Sequence, residues 1–190
     1  MIDKQTVKTL KNITLFKLNN VDENTKFLGR KVLRWIQVSE KSKSELVKNV
    51  ILNALKKAGI LLEYKTGHNL ITTAGRTVIA RLTAGDTTYS GEINYGALGT
   101  NATAATNGDT TLGTEVYRKV QYSQSYSGAV SYVDFFYSAT DWDGTAEEFG
   151  NFIDGEAGAD TGQMFSHLIT GGWVKSNTES LFISCQYTWS

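Results

Sequence analysis

The chain has 190 residues, with 19 Lys and Arg against 19 Asp and Glu, 18 glycines, one cysteine and no proline. An apolar content of 41% with no net charge excludes a disordered chain, and its length fits one domain with an appendage. The single Cys185 excludes an intrachain disulfide and every four-cysteine metal site.

The zero net charge hides a difference between two parts of the chain. Residues 1–64 hold 13 Lys and Arg and 6 Asp and Glu, a balance of +7, whereas residues 65–190 hold 6 and 13, a balance of −7. A nucleic-acid arm would cluster basic residues on one face among aromatic residues, but these lysines are spaced through apolar segments. We expect a solvated basic face or an assembly interface, with no nucleic-acid partner. The start of the chain lacks the pattern of a targeting signal, and no apolar run predicts membrane insertion.

Residues 1–66 are predicted to contain two short strands and a helix. The strands are Ile13–Leu18 and Val32–Val38, the second indicated by alternating apolar and polar residues. The helix begins at a capping box formed by Ser42 and Glu45 and ends before Gly59. We expect its apolar stripe to be covered, because it is too apolar to remain in water; the stripe comprises Leu46, Val47, Val50, Ile51, Ala54, Leu55 and Ala58.

A second helix between Gly67 and Asp86, capped by Thr72 or Thr73, is followed by segments with strand character. Ser127-Gly128 predicts a hairpin turn, and Gly155–Gly162 predicts a longer hairpin loop. We predict an α+β fold dominated by an antiparallel β-sandwich of six to seven strands with one packed helix, preceded by a smaller N-terminal α+β segment. Residues 1–66 would form a basic docking segment and residues 67–190 the sandwich domain. The predicted strands begin with the alternating residues Ile93, Tyr95 and Ala97 and continue with Val116–Ser125, Ala129–Ser138, Thr145–Ile153, Met164–Thr170 and Ser180–Trp189.

Several short sequence motifs follow one another in a characteristic order from residue 69 onward. They are Asn69-Leu70-Ile71, Leu82-Thr83-Ala84-Gly85, Tyr95–Thr100, Thr110–Lys119, Glu148–Phe152 and Ser180-Leu181. Their order and spacing resemble small tailed-bacteriophage virion proteins of the tail fibre, tail appendage or baseplate. The chain departs from that family at Asn101, where the family continues with glycine, and in having no proline in the loop that follows. The resemblance implies a β-rich virion protein that works by assembly with other virion proteins, as a homo-oligomer with a trimer favoured.

The residues that usually carry chemistry are sparse. His68 and His167 are the only histidines, and His167 lies in an apolar strand where a structural role is expected. The acidic residues around Asp141–Glu148 and Asp154–Asp160 do not have the spacing of an EF-hand calcium loop, which leaves an irregular calcium site or a glycosidase pair as minor alternatives. We expect no catalytic residue, no cofactor, no metal and no enzymatic activity.

Trp142 and Trp173 are the candidate contact residues. Each lies beside a predicted turn, at Asp143-Gly144 and at Gly171-Gly172, and such loop tips would expose the indole rings. Exposed tryptophans stack on sugar rings, so the alternative function is a receptor- or glycan-binding module that contacts a host-surface glycan. The same residues would also suit a protein interface, where tryptophan is enriched.

Overall fold

The computed structural model describes residues 10–19, 21, 28–42 and 44–189. These residues form ten strands and three helices. In chain order the elements are β1 (Leu10–Asn19), α1 (Leu28–Lys41), α2 (Glu45–Lys57), β2 (Leu61–Gly67), β3 (Leu70–Ile71), α3 (Thr73–Thr83), β4 (Ile93–Gly99), β5 (Glu115–Val120), β6 (Ser123–Ser127), β7 (Val130–Tyr137), β8 (Gly144–Ile153), β9 (Gln163–Lys175) and β10 (Glu179–Thr188).

The strands form two antiparallel sheets of five strands each, and a hydrophobic core lies between them. Sheet A has the order β2-β1-β10-β7-β6, and sheet B has the order β3-β9-β8-β4-β5. The predicted fold class, an α+β fold dominated by an antiparallel β-sandwich, is confirmed. The predicted strand Ile13–Leu18 and the predicted helix before Gly59 are confirmed as β1 and α2, but both belong to the sandwich: β1 joins sheet A together with β2, and α2 packs on that sheet together with α1.

The two faces of sheet A bury two different cores. On β10, Leu181 and Ile183 belong to the core between the sheets, whereas Phe182 belongs to a second core shared with α1 and α2. On β7, Phe135 and Phe136 divide in the same way. This division follows from the two-residue period of a strand, which sends neighbouring side chains to opposite faces. Sheet A is therefore the middle layer, with sheet B on one side and α1 and α2 on the other.

The third helix, α3, packs on sheet B and starts where the sequence predicts. The Oγ1 atom of Thr72 accepts a hydrogen bond from the Gly75 amide at 3.0 Å, and Gly85 follows the helix with a φ of +81°. A Cβ at Gly75 would stand 2.6 Å from the carbonyl oxygen of Phe165 on β9. Glycine at this position therefore allows the helix to approach the strand closely.

The N-terminal part differs from its prediction in local structure. Residues Val32–Val38 belong to helix α1 and not to a strand, because Val32, Leu33 and Ile36 share one helical face that is fully buried against sheet A. The cap of α2 is Ser44 rather than Ser42, and its side chain accepts a hydrogen bond from the Val47 amide. Strands β2 and β3 were not predicted.

The predicted boundary at residue 66 does not separate the two sheets. Strand β1 pairs with β10 along its whole length and with β2 on its other side. Ile13 and Leu15 of β1 are fully buried in the core between the sheets. Strands from both predicted parts thus build one sheet and one core. Residues 1–9, 20, 22–27 and 43 of the predicted docking segment lie outside the described residues.

Candidate functional site

Helices α1 and α2 carry large apolar side chains that face solvent in the isolated chain. Leu46 is 74% exposed and Val50 is 60% exposed, and three further residues are exposed by more than a third. We call this set the apolar helical surface; it comprises Trp35, Val38, Leu46, Val47 and Val50.

Helix geometry brings these residues together. Leu46 and Val50 are four residues apart on α2, and Trp35 and Val38 are three apart on α1, so each pair shares one helical face. The connection between the helices is short, which puts Val38 and Leu46 at the same end of the pair.

The expectation that the whole apolar stripe of α2 is covered is wrong as far as the described residues are concerned. The residues of α2 that are buried on sheet A are Leu52 and Leu55, and of these only Leu55 belongs to the predicted stripe. The beginning of the stripe, at Leu46, Val47 and Val50, remains in solvent. Soluble monomers rarely expose a large apolar patch, and such patches mark interaction sites.

The surroundings of the apolar helical surface are basic. Residues 28–58 contain eight Lys and Arg and two Glu, and Arg34, Lys56 and Lys57 are exposed. One of the two glutamates, Glu40, is engaged with Lys48 in an ion pair of 3.2 Å that links the two helices. An apolar surface on helices with an excess of positive charge is complementary to an acidic partner surface.

The structure separates the two candidate tryptophans: Trp173 lies within strand β9, whereas Trp142 lies in the loop between β7 and β8, beside the predicted turn. Trp173 is 2% exposed and lies in the core between the sheets, with its ring centroid 6.1 Å from that of Phe149. The predicted turn at Gly171-Gly172 is an irregularity within β9, which continues to Lys175. The expected exposure of Trp173 is therefore wrong. Trp142 is half-buried against the same core, and its contact with a partner or a glycan stays a prediction.

A second candidate site, which is polar, lies beneath the loop that connects β4 and β5. The carboxylate of Glu148, almost fully buried on β8, accepts hydrogen bonds from the backbone amides of Asn101, Gly113 and Thr114 at 3.2, 2.9 and 2.9 Å. The Nε2 atom of His167 lies 3.1 Å from the same carboxylate.

His167 links Glu148 to a second carboxylate. Its Nδ1 atom lies 2.7 Å from Asp109 on the loop, so both ring nitrogens face carboxylate oxygens. An imidazole donates from both nitrogens only when it is protonated. Burial raises the pKa of Asp109, but hydrogen bonds from Thr106 and His167 outweigh it and leave that pKa below its usual value.

This arrangement anchors the loop and explains part of the sequence pattern. A Cβ at Gly99 would stand 2.4 Å from Glu148 Oε1, and a Cβ at Gly113 would stand 2.2 Å from Asn101 Nδ2. Three of the pieces that carry the virion resemblance, around Gly99, Gly113 and Glu148, therefore meet at one point. Sequence reasoning missed this contact because Glu148 is 34 residues from Thr114 along the chain. Gly99 and Gly113 were the signal in the sequence that could have indicated a close approach at this point.

The described residues show no metal cluster and no membrane span. No group of three or more His, Cys, Asp or Glu residues among them is placed to hold a metal ion. Within the same part of the chain, no helix is long and apolar enough to cross a bilayer. In comparisons with known proteins, no family model, curated protein or solved structure matches this chain.

Proposed function

We propose that this protein is a structural component of a tailed-bacteriophage virion, in the tail, baseplate or fibre, and that it acts by subunit assembly without enzymatic activity. The observation that carries the assembly role is the solvent-exposed stripe of α2, at Leu46, Val47 and Val50. Covering these side chains in an interface is favourable by about 25 cal/mol for each Å² of apolar surface removed from water. The virion assignment rests on the resemblance of residues 69–190.

The charge distribution supports a second copy of the chain as the partner. The apolar helical surface lies in the part of the chain with a balance of +7, and residues 65–190 carry −7. A contact between the basic helices of one copy and an acidic region of the next is electrostatically favourable. Head-to-tail contacts form a closed ring when the rotation between copies closes, and a trimer of this chain would be such a ring.

Substitution of Val50 tests the assembly surface. The matched control is Val174 on β9, which is 52% exposed against 60% for Val50. We expect the full-length protein to self-associate in sedimentation equilibrium, and Val50→Glu to weaken that association at least tenfold, about 1.4 kcal/mol. Val174→Glu should leave it unchanged. A protein that remains monomeric at about 100 µM, a concentration far above a micromolar Kd, would refute self-assembly through this surface, and so would equal effects of the two substitutions.

The virion assignment has a separate test. Particles of the phage that encodes the protein, purified by density gradient, are digested and analysed by mass spectrometry. We expect peptides of this chain at a constant ratio to the other tail proteins. Their absence from infectious particles would contradict the proposal, whatever the oligomeric state in solution.

A further inference from the structure

A pocket of about 450 Å³ opens between the sheets beside the edge strand β6. Its lining comes from β6, β7 and the end of β10 in sheet A, and from α3, β4 and β9 on the other side. The inner wall includes Phe165 and Tyr187, whose rings pack edge to face with centroids 5.0 Å apart. Its volume lies in the range of roughly 300–1,000 Å³ that is typical of small-molecule sites. We call it the aromatic pocket.

Two aromatic side chains stand at the mouth of this pocket. Tyr126 on β6 is 85% exposed. Trp189 is half-buried, and its indole nitrogen donates a hydrogen bond to Ser131 Oγ at 3.3 Å. Tyr126 pairs directly with Ser131 across β6 and β7, so these two side chains lie on the same side of sheet A. The indole of Trp189 bonds to Ser131, so the two rings lie on either side of that residue.

A preorganised polar group lies beside the rings. Glu92 Oε1 accepts hydrogen bonds from Gln121 Nε2 at 3.1 Å and from Gln124 Nε2 at 2.9 Å. Gln124 and Tyr126 share one face of β6, since they are two residues apart. The second oxygen of Glu92 accepts no hydrogen bond from any described residue, so it is open to a ligand donor.

The charge of the lining restricts the ligand. Glu92 is the sole charged side chain among the described residues that line the pocket. Lys41 approaches β6 at Ser125 Oγ, 2.8 Å away, but Ser125 alternates with Gln124 and Tyr126 and points to the helix side. An anion would meet an unbalanced negative charge, and a purely apolar ligand would cover the second oxygen of Glu92 without supplying a donor to it.

We propose that the aromatic pocket binds a neutral saccharide. A sugar ring has an apolar face of C–H groups, which packs on Tyr126 and Trp189, and hydroxyl groups, which donate to Glu92 and exchange hydrogen bonds with Gln124. This function goes beyond assembly and uses none of the residues of the apolar helical surface. It also relocates the expected glycan contact from the buried Trp173 to the open edge of the sandwich.

The test uses the full-length chain and an array of immobilised neutral and acidic oligosaccharides. We expect binding to at least one neutral glycan, competition by the same glycan in solution, and a loss of at least tenfold in affinity for Tyr126→Ala. Tyr126 is so exposed that this substitution leaves folding intact. Trp35→Ala removes an exposed aromatic side chain from the helical surface and should retain glycan binding.

Several outcomes would overturn the assignment. They are no binding to any glycan on the array, binding confined to acidic glycans, and undiminished binding by Tyr126→Ala. Competition by choline chloride instead of free sugar would mean that the rings recognise a cation. Competition by an extended peptide would mean that β6 is extended by an added strand. The glycan result is independent of assembly, because Val50→Glu is expected to weaken self-association and leave glycan binding unchanged.

Discussion

Replacing Leu15 with alanine is expected to lower the free energy of unfolding of the entire described fold by about 3 kcal/mol. Leu15 is fully buried in the core between the sheets, on the strand that joins β2 to β10. Its Cα partners are Ile183 on β10 and Lys65 on β2. The substitution therefore affects an inner strand of sheet A, although Leu15 belongs to the part of the chain predicted from sequence to be a docking segment.

The magnitude follows from the atoms removed. Leucine to alanine deletes three carbon groups, and each buried CH₂ contributes about 0.8 kcal/mol, which gives roughly 2.4 kcal/mol. The cavity left in a closely packed core adds to this, within the range of about 2–5 kcal/mol for such substitutions. A loss of this size is a large fraction of the roughly 5–15 kcal/mol that stabilises a typical domain. Leu46→Ala, at a side chain that is 74% exposed, is the control; at a protein concentration low enough for the chain to be monomeric, it should change stability by less than about 0.5 kcal/mol.

The assay is urea unfolding followed by tryptophan fluorescence and by far-ultraviolet circular dichroism. We expect one cooperative transition in the wild type and in Leu15→Ala, with the midpoint of the variant shifted to lower urea. Two separate transitions, of which only one moves, would refute the single shared core. A shift equivalent to less than about 1 kcal/mol would refute the packing assigned to β1.

Two further predictions concern buried polar groups. Glu148→Gln replaces one acceptor oxygen by an NH₂ donor that faces a backbone amide or His167, so it should lower the free energy of unfolding by about 2 kcal/mol and speed hydrogen exchange at the Gly113 amide. Glu147→Gln, on the same strand, is the control and should do neither. Unchanged exchange at Gly113 in Glu148→Gln would contradict the loop anchor. Burial raises the pKa of the Cys185 thiol to about 12, so at pH 8 the thiol should react with a disulfide reagent only in molecules that have unfolded. The labelling rate should therefore rise with urea concentration. Rapid labelling of the folded protein without urea would contradict the burial of Cys185.

The sequence determined the elements whose signals are local. The cap of α3, narrowed to Thr72 or Thr73, and the glycines after α2 and α3 needed only neighbouring residues, and Gly59 and Gly85 adopt the positive φ that ends a helix. The hairpin between β6 and β7 is likewise confirmed, with Gly128 at a φ of +57°. The predicted strand Ser180–Trp189 is confirmed as β10, and its two-residue period alone separates Leu181 and Ile183, in the core between the sheets, from Phe182 on the opposite face. These features depend on backbone conformation and side-chain period, which are properties of a few consecutive residues.

The tertiary structure decided everything that joins distant residues. Alternation suggested a strand at Val32–Val38, yet the two apolar faces of that segment fit a helix on sheet A and a surface in solvent. Whether Trp173 is buried depends on Phe149 on another strand, and whether β1 is a docking segment or a core strand depends on β10, at the other end of the chain. The apolar helical surface and the aromatic pocket were also beyond sequence reasoning. Both are defined by what the rest of the chain leaves uncovered, and the free energy of burial depends on contacts that composition and spacing do not specify.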